Sequence, residues 1–195
     1  MYVCTSFSLI AQTHQVCVKV LDPNENCIGF RGVNIVIKDY LGQTKCSGWT
    51  DVSGSYCCTV NAGDFPIQVC AQSQCSWDDD CIDDEDYDVI WNYIMLGSPV
   101  PPDFYYWADI NGEGSVNQLD LLEMKKIFSN SSTLPTNSFC RLVSDFCKGV
   151  TPPIPASCYF GCQTISSPAD VNLNFWLYMV GDANKSCRDS DCIKP

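Results

Sequence analysis

Apolar and polar positions alternate with a period of two through the first third of the chain. Val16, Val18 and Val20 alternate with Cys17 and Lys19, and Val33, Ile35 and Ile37 alternate with Asn34, Val36 and Lys38. That period belongs to half-buried strands. Asp22-Pro23-Asn24-Glu25-Asn26 breaks the first run, and Leu41-Gly42 breaks the second. Tyr56-Cys57-Cys58-Thr59-Val60 and Phe65-Pro66-Ile67-Gln68-Val69-Cys70 add two strands around the turn Asn61-Ala62-Gly63-Asp64. Strands at this spacing, with no helix between them, predict a small antiparallel β-sandwich.

The pattern changes at Trp77. Between Asp78 and Asp88, eight of 11 residues are acidic, and the apolar run from Val89 to Leu96 then stops at Gly97. An acidic entry and a glycine exit predict a helix. The plan recurs where the polar stretch Asp109 to Asp120 leads into an amphipathic Leu121 to Phe128, a repeat of 34 residues counted from Asp86 to Asp120. Ser129 to Thr133 reads as a polar linker. Apolar alternation returns between residues 139 and 180, at Phe139, Leu142, Leu173, Phe175, Leu177 and Met179, and predicts two strands around a Pro- and Cys-rich loop. The expected fold is mainly β with a small α part. Residues 1–74 form the sandwich, and 75–195 hold the loop-and-helix repeat with its extra strands.

Composition narrows the function. A chain of 195 residues with 46% hydrophobic and 17% charged residues is globular and not disordered. No apolar run approaches the roughly 18 residues of a membrane helix, so no membrane span is expected. Eleven basic against 23 acidic residues leave a net charge of −12, which repels nucleic acid and suits a cation. Fifteen cysteines point to an exported, disulfide-stapled protein. They form no C-x-x-C pairs, and the single histidine, His14, cannot complete a zinc site. Because 15 is odd, at least one cysteine is unpaired or bonded to another molecule, and the connectivity stays open. Met1 to Ser6 lacks the basic start and apolar core of a secretory signal, so a processed chain or a piece of a longer precursor is expected. There is no phosphate loop, G-x-S-x-G elbow or H-E-x-x-H pair, and His14 has no evident catalytic partner. The acidic run Asp78 to Asp88 has the density of an ion site and not of two isolated glycosidase carboxylates. The chain is not expected to be an enzyme.

The stretch from Asp109 to Asp120 has the spacing of a 12-residue calcium loop. Calcium takes six to eight oxygens, which such a loop offers from alternate positions. Asp109, Asn111 and Glu113 hold the first three ligand positions, and Gly114 permits the turn that folds the chain around the ion. Ser115 offers its carbonyl, Val116 anchors the loop to the core, Asn117 binds directly or through water, and Asp120 closes the site from the first helical turn.

Two resemblances follow from these residues. Gly32-Val33-Asn34-Ile35, the turn Thr50-Asp51-Val52-Ser53-Gly54-Ser55-Tyr56 and the turn Ala62-Gly63-Asp64-Phe65 resemble the transthyretin-like family of carboxypeptidase regulatory and collagen-adhesin B-type repeats, over most of residues 14 to 73. That family implies a spacer, stalk or assembly unit. Its isopeptide-forming members need a core lysine, whereas Lys19 and Lys38 fall in polar slots. Ala108 to Lys126, with aspartate at loop position 12, resembles a dockerin repeat, in particular the dockerin-like tails that follow sandwich repeats in bacterial surface proteins. Phe139-Cys140-Arg141-Leu142-Val143 and Gly181-Asp182-Ala183-Asn184 match the downstream strand and closing motif of those tails.

The first repeat departs from the pattern, because aligning Asp86 with Asp120 puts Cys75 and Trp77 at ligand positions 1 and 3. Gly181 to Ser186 supplies an opening half-loop without a closing half. The expectation is a split second site in which Asp182, Asn184 and Ser186 join Asp83 and Asp86, giving one or two Ca2+ in all. Asn130 and Asn184 are glycosylation sequons, and Asn184 cannot be both ligand and acceptor. The function expected is an extracellular, cell-surface structural subunit that self-associates into a fibre, filament or layer. The alternative is a dockerin-type recognition module for a cohesin-like partner, which needs an exposed helix face; Val89, Ile90, Tyr93 and Ile94 either form that face or are buried against residues 139 to 180.

Overall fold

The alternation at Val16, Val18 and Val20 builds strand β1 (Thr13–Leu21), whose three valines are fully buried while Cys17 and Lys19 face outward. In the computed structural model, residues 12–21, 29–72, 82–101, 103–129, 132, 140–147, 150, 152–155, 158, 161–180 and 183 are described. The same alternation makes β2 (Asn34–Lys38), β4 (Ser55–Asn61) and β5 (Ile67–Gln72), which turn Ile35, Ile37, Val60, Ile67, Val69 and Ala71 inward. Between β2 and β4 runs β3 (Thr44–Trp49), which the hydrophobic pattern does not reveal. Further on come β6 (Cys140–Ser144), β7 (Cys162–Ile165) and β8 (Val171–Met179). The strands form two four-stranded sheets, in the orders β4-β1-β8-β6 and β3-β2-β5-β7. The protein is thus mainly β, a two-sheet sandwich with few helices.

The late strands complete this sandwich and do not form a separate layer. β8 inserts between β1 and β6, and Leu142, Leu173, Phe175 and Leu177 share one core with Val16, Ile35 and Val69. The sheets therefore cross the expected division at residues 74 and 75, and residues 82–129 are a helical insertion between β5 and β6. Two further expectations need correction. The sandwich is not wholly antiparallel, because β1 and β8 run parallel from Val16↔Val171 to Leu21↔Trp176. A parallel pair needs a long crossover, which the rest of the chain supplies. The Pro- and Cys-rich loop also contains a third late strand, β7, paired to β5 from Ile67↔Ile165 to Cys70↔Cys162.

Four disulfides join described residues: Cys17–Cys57, Cys46–Cys58, Cys70–Cys162 and Cys147–Cys158. Cys46–Cys58 links β3 to β4, and so ties one sheet to the other. Cys70–Cys162 spans 92 residues and encloses the helical insertion, a loop closure that in the chain-entropy account stabilises by about 4–5 kcal/mol.

The insertion contains α1 (Asp84–Leu96), α2 (Phe104–Ala108) and α3 (Gln118–Phe128). The expected 34-residue repeat is physical. Asp83 and Asp86 form a reciprocal capping box at the start of α1, and Asn117 and Asp120 form the same box at the start of α3. Gly97 ends α1 at φ 65°, where its N–H donates to the Tyr93 carbonyl. α1 and α3 bury Ile90, Leu121, Met124 and Ile127 between them. Val89, Tyr93 and Ile94 pack against that cluster, so the face considered for a partner is mostly core. The apolar residues that α1 exposes are Trp91, Met95 and Leu96.

Candidate metal centre

The loop from Asp109 to Asp120 hangs between two anchored helices. α2 has only five residues, but four of them, Phe104, Tyr106, Trp107 and Ala108, are buried. The Tyr106 and Trp107 rings lie 5.1 and 5.0 Å from that of Tyr178 on β8, and the Tyr106 hydroxyl donates to the Cys147 carbonyl. Aromatic packing on the sandwich thus fixes where the loop begins. Its far end is fixed by the α3 capping box.

Two fully buried carboxylates close the loop. Asp109 accepts backbone N–H bonds from Gly112 at 2.9 Å and Glu113 at 3.1 Å through Oδ1, and from Gly114 at 2.8 Å through Oδ2. Asp120 accepts from Asn111 at 3.2 Å through Oδ1 and from Asn117 at 2.8 Å through Oδ2. Burial pushes the Asp120 carboxyl up to about 6; the neighbouring Asp109 charge adds to this, and the N–H groups of Asn117 and Asn111 oppose it. A buried acid whose ionisation is opposed by burial and by a neighbouring carboxylate is what a bound cation would relieve.

The remaining expected ligands surround the same turn. Asn111 Oδ1 accepts from the Glu113 N–H at 3.0 Å, Ser115 Oγ bonds Glu113 Oε1 at 3.2 Å, and the Asn117 amide bonds both Glu113 and Ser115. Hydrogen bonds thus link the six expected loop residues around one turn, and their side chains carry carboxylate, amide and hydroxyl oxygens of the kind calcium takes. Among the described residues, no three His, Cys, Asp or Glu side chains group around one point, so any ion here would draw on the amide, hydroxyl and main-chain oxygens as well.

Gly114 is required twice over. Its φ of +95° disfavours any side chain, and an added Cβ would lie 2.7 Å from the Ile154 carbonyl oxygen. Ile154 also donates its N–H to the Gly114 carbonyl at 2.9 Å. This clamp was missed in the sequence, because nothing local links residues 40 apart.

The expected second site is only partly visible. Asp86 is fully buried, and its Oδ2 accepts from the Asp83 N–H at 2.9 Å. Asp182, Asn184 and Ser186 lie outside the described residues, as do both sequons, Asn130 and Asn184. Val180 and Ala183, which flank Asp182, are buried in the cluster that holds Ile82 beside the α1 start. His14 was expected to lack a carboxylate neighbour, yet its Nδ1 is 3.7 Å from Asp170 and its ring stands edge-on to Phe65.

No family model and no curated protein matches the chain. Among solved structures it is similar to the Bacillus anthracis TIE protein, at 13% identity over 31% of this chain and 11% of that one, with a TM-score of 0.28. It is also similar to BcpA, the major pilin subunit of Bacillus cereus, at 19% identity over 34% of this chain and 21% of that one, with a TM-score of 0.26. The chain thus spans about a tenth and a fifth of those proteins, and likeness at this level carries no argument about function.

Proposed function

We propose that the chain is an extracellular structural subunit, braced by calcium and disulfides, that associates with copies of itself into a surface fibre, filament or layer. The observation that carries this reading is the pair of buried carboxylates, Asp109 and Asp120, at the two ends of one oxygen-lined loop. A cation held there draws α2, the loop and α3 together, so its binding free energy becomes folding free energy. Four disulfides support an oxidising compartment. Among the described residues, no helix is long and apolar enough to cross a membrane. The molecule's unusual chemistry serves to brace it, and the chain is not an enzyme in this reading.

A second ion sits, in this reading, where Asp182, Asn184 and Ser186 meet Asp83 and Asp86. Replacing Asp182 with Ala then removes one calcium equivalent in a titration, and unchanged stoichiometry refutes the split site. A dockerin-type recognition module is the second reading. It is favoured by an open groove of ≈ 650 Å³ lined by Tyr93, Ile94 and Leu119 between α1 and α3. Size-exclusion chromatography and negative-stain imaging, with and without chelator, separate the two. Filaments or large oligomers support the structural subunit, and a calcium-bound monomer supports the adaptor.

A further inference from the structure

The backbone of Gly114 is bonded in two directions. Its N–H donates to Asp109 Oδ2 at 2.8 Å, within the loop, and its carbonyl accepts from the Ile154 N–H at 2.9 Å, outside the loop. Ile154 lies in the segment that connects β6 to β7, 40 residues further along the chain. That segment is closed on itself by the disulfide Cys147–Cys158, which flanks Ile154 with a separation of 11 residues. A displacement of Ile154 is therefore passed to Gly114, and from Gly114 to the Asp109 carboxylate.

A second contact reaches the start of the loop. The Tyr106 hydroxyl on α2 donates to the Cys147 carbonyl, which also accepts from the Val150 N–H at 3.2 Å. Cys147, Ile154 and Cys158 are buried in one cluster with Tyr106 and Trp107. The disulfide-closed segment thus holds the loop at its entry, through α2, and at its middle, through Gly114.

We infer that the segment from Cys147 to Cys158 is a strap that sets the calcium affinity of the Asp109–Asp120 loop, with Ile154 as its positioning residue. The inference rests on the calcium reading of that loop. A loop that takes an ion gives up the freedom of its oxygens, and this ordering counts against affinity. With the disulfide closed, Ile154 holds Gly114, and through it Asp109, before the ion arrives. With the disulfide open, the ion has to order the segment as well as the loop. A coupling the size of one backbone hydrogen bond weakens binding by about tenfold.

Coupling of this kind is reciprocal, so bound calcium holds the strap closed by the same factor. Cys147 and Cys158 are both buried, and a reductant reaches them only when the segment opens. Cys17–Cys57 is the natural comparison, because Cys57 is exposed and its strand β4 is at the opposite edge of the sheet from β6.

Two measurements on the full chain test the strap. In calorimetric titration with calcium chloride, Cys147→Ala/Cys158→Ala should keep the wild-type stoichiometry with the Kd of one site about tenfold higher. Cys17→Ala/Cys57→Ala should lower Tm and leave every Kd unchanged. The second measurement uses the unsubstituted chain, so it stands even where the double variant fails to fold. Dithiothreitol supplies two electrons and two protons to each disulfide as it closes into its own cyclic disulfide, and the freed thiols are alkylated and followed by mass spectrometry. Saturating calcium should slow the appearance of alkylated Cys147 and Cys158 about tenfold and leave that of Cys17 and Cys57 unchanged. Equal Kd values in the wild type and the strap variant, or reduction of Cys147–Cys158 at one rate with and without calcium, overturn the strap and leave the calcium reading intact. Calcium that slows both disulfides alike also overturns it, because the effect is then a general tightening of the fold. A wild type that binds no calcium overturns the calcium reading and the strap together.

Discussion

Replacing Gly114 with Ala isolates the one loop position that no side chain can occupy without strain. The glycine sits at φ +95°, outside the regions open to L-residues, and the new Cβ would meet the Ile154 carbonyl oxygen at 2.7 Å, a rigid backbone atom. Strain of this kind costs about 1–3 kcal/mol, and shifting Ile154 endangers the hydrogen bond that it donates to the Gly114 carbonyl, at about 1 kcal/mol. The expected loss is about 2–4 kcal/mol, which for a chain of this size lowers Tm by roughly 5–15 °C. Differential scanning calorimetry in saturating calcium measures it. Gly63→Ala is the matched control, since Gly63 is not among the positive-φ glycines and its added Cβ meets nothing within 4 Å. A Gly114→Ala melt within 2 °C of wild type would refute the reasoning. A Gly63→Ala loss as large would show that the effect is not specific to the loop.

Two further perturbations probe the frame that carries the loop. Phe175→Ala should cost about 3–5 kcal/mol in a urea melt, because Phe175 is fully buried on β8 in the sandwich core; a loss under 1 kcal/mol would mean that β8 is not an inner strand. The Asp39 carboxyl is pushed up by burial but held below its usual range by the Lys45 ammonium and the N–H groups of Gln43 and Leu41, and Asp64 is lowered by a similar balance of burial, the Asn61 N–H and Lys45. A lowered carboxylate contributes stability above its unfolded pKa and loses it as the pH falls through its folded one. Lys45→Met should therefore move the acid-unfolding midpoint to higher pH, and an unmoved midpoint would show that the ion cluster does not brace the turn.

The sandwich was legible wherever one face of a strand is buried and the other is wet, as at Val16–Val18–Val20 and Ile35–Ile37. β3 escaped because it is an edge strand whose inward positions, Cys46 and Gly48, are only half-buried and carry no large apolar side chain, so no hydrophobic alternation marks it. α2 escaped because five residues are too few to show a helical period, and its aromatics are buried on several sides at once. The parallel neighbours β1 and β8 are more than 150 residues apart, and only the tertiary fold sets that register. The hydrogen-bonded turn was readable because oxygen-bearing side chains recur at every second position from Asp109 to Asn117, and the 34-residue spacing reappears as two matching capping boxes. What the linear pattern hid are the long-range supports: Ile154 against Gly114, Asp39 and Asp64 around Lys45, and Asp170 beside His14.

The most direct measurement is a thermal melt of the chelator-stripped chain, repeated as calcium is added back, with Asp120→Ala run beside it. Binding only to the folded state should raise stability by about 2.7 kcal/mol at a free ion concentration 100 times Kd, with Tm climbing steadily as calcium increases in the wild type and not in the variant. A wild-type melt that does not move between chelator and excess calcium would contradict the account.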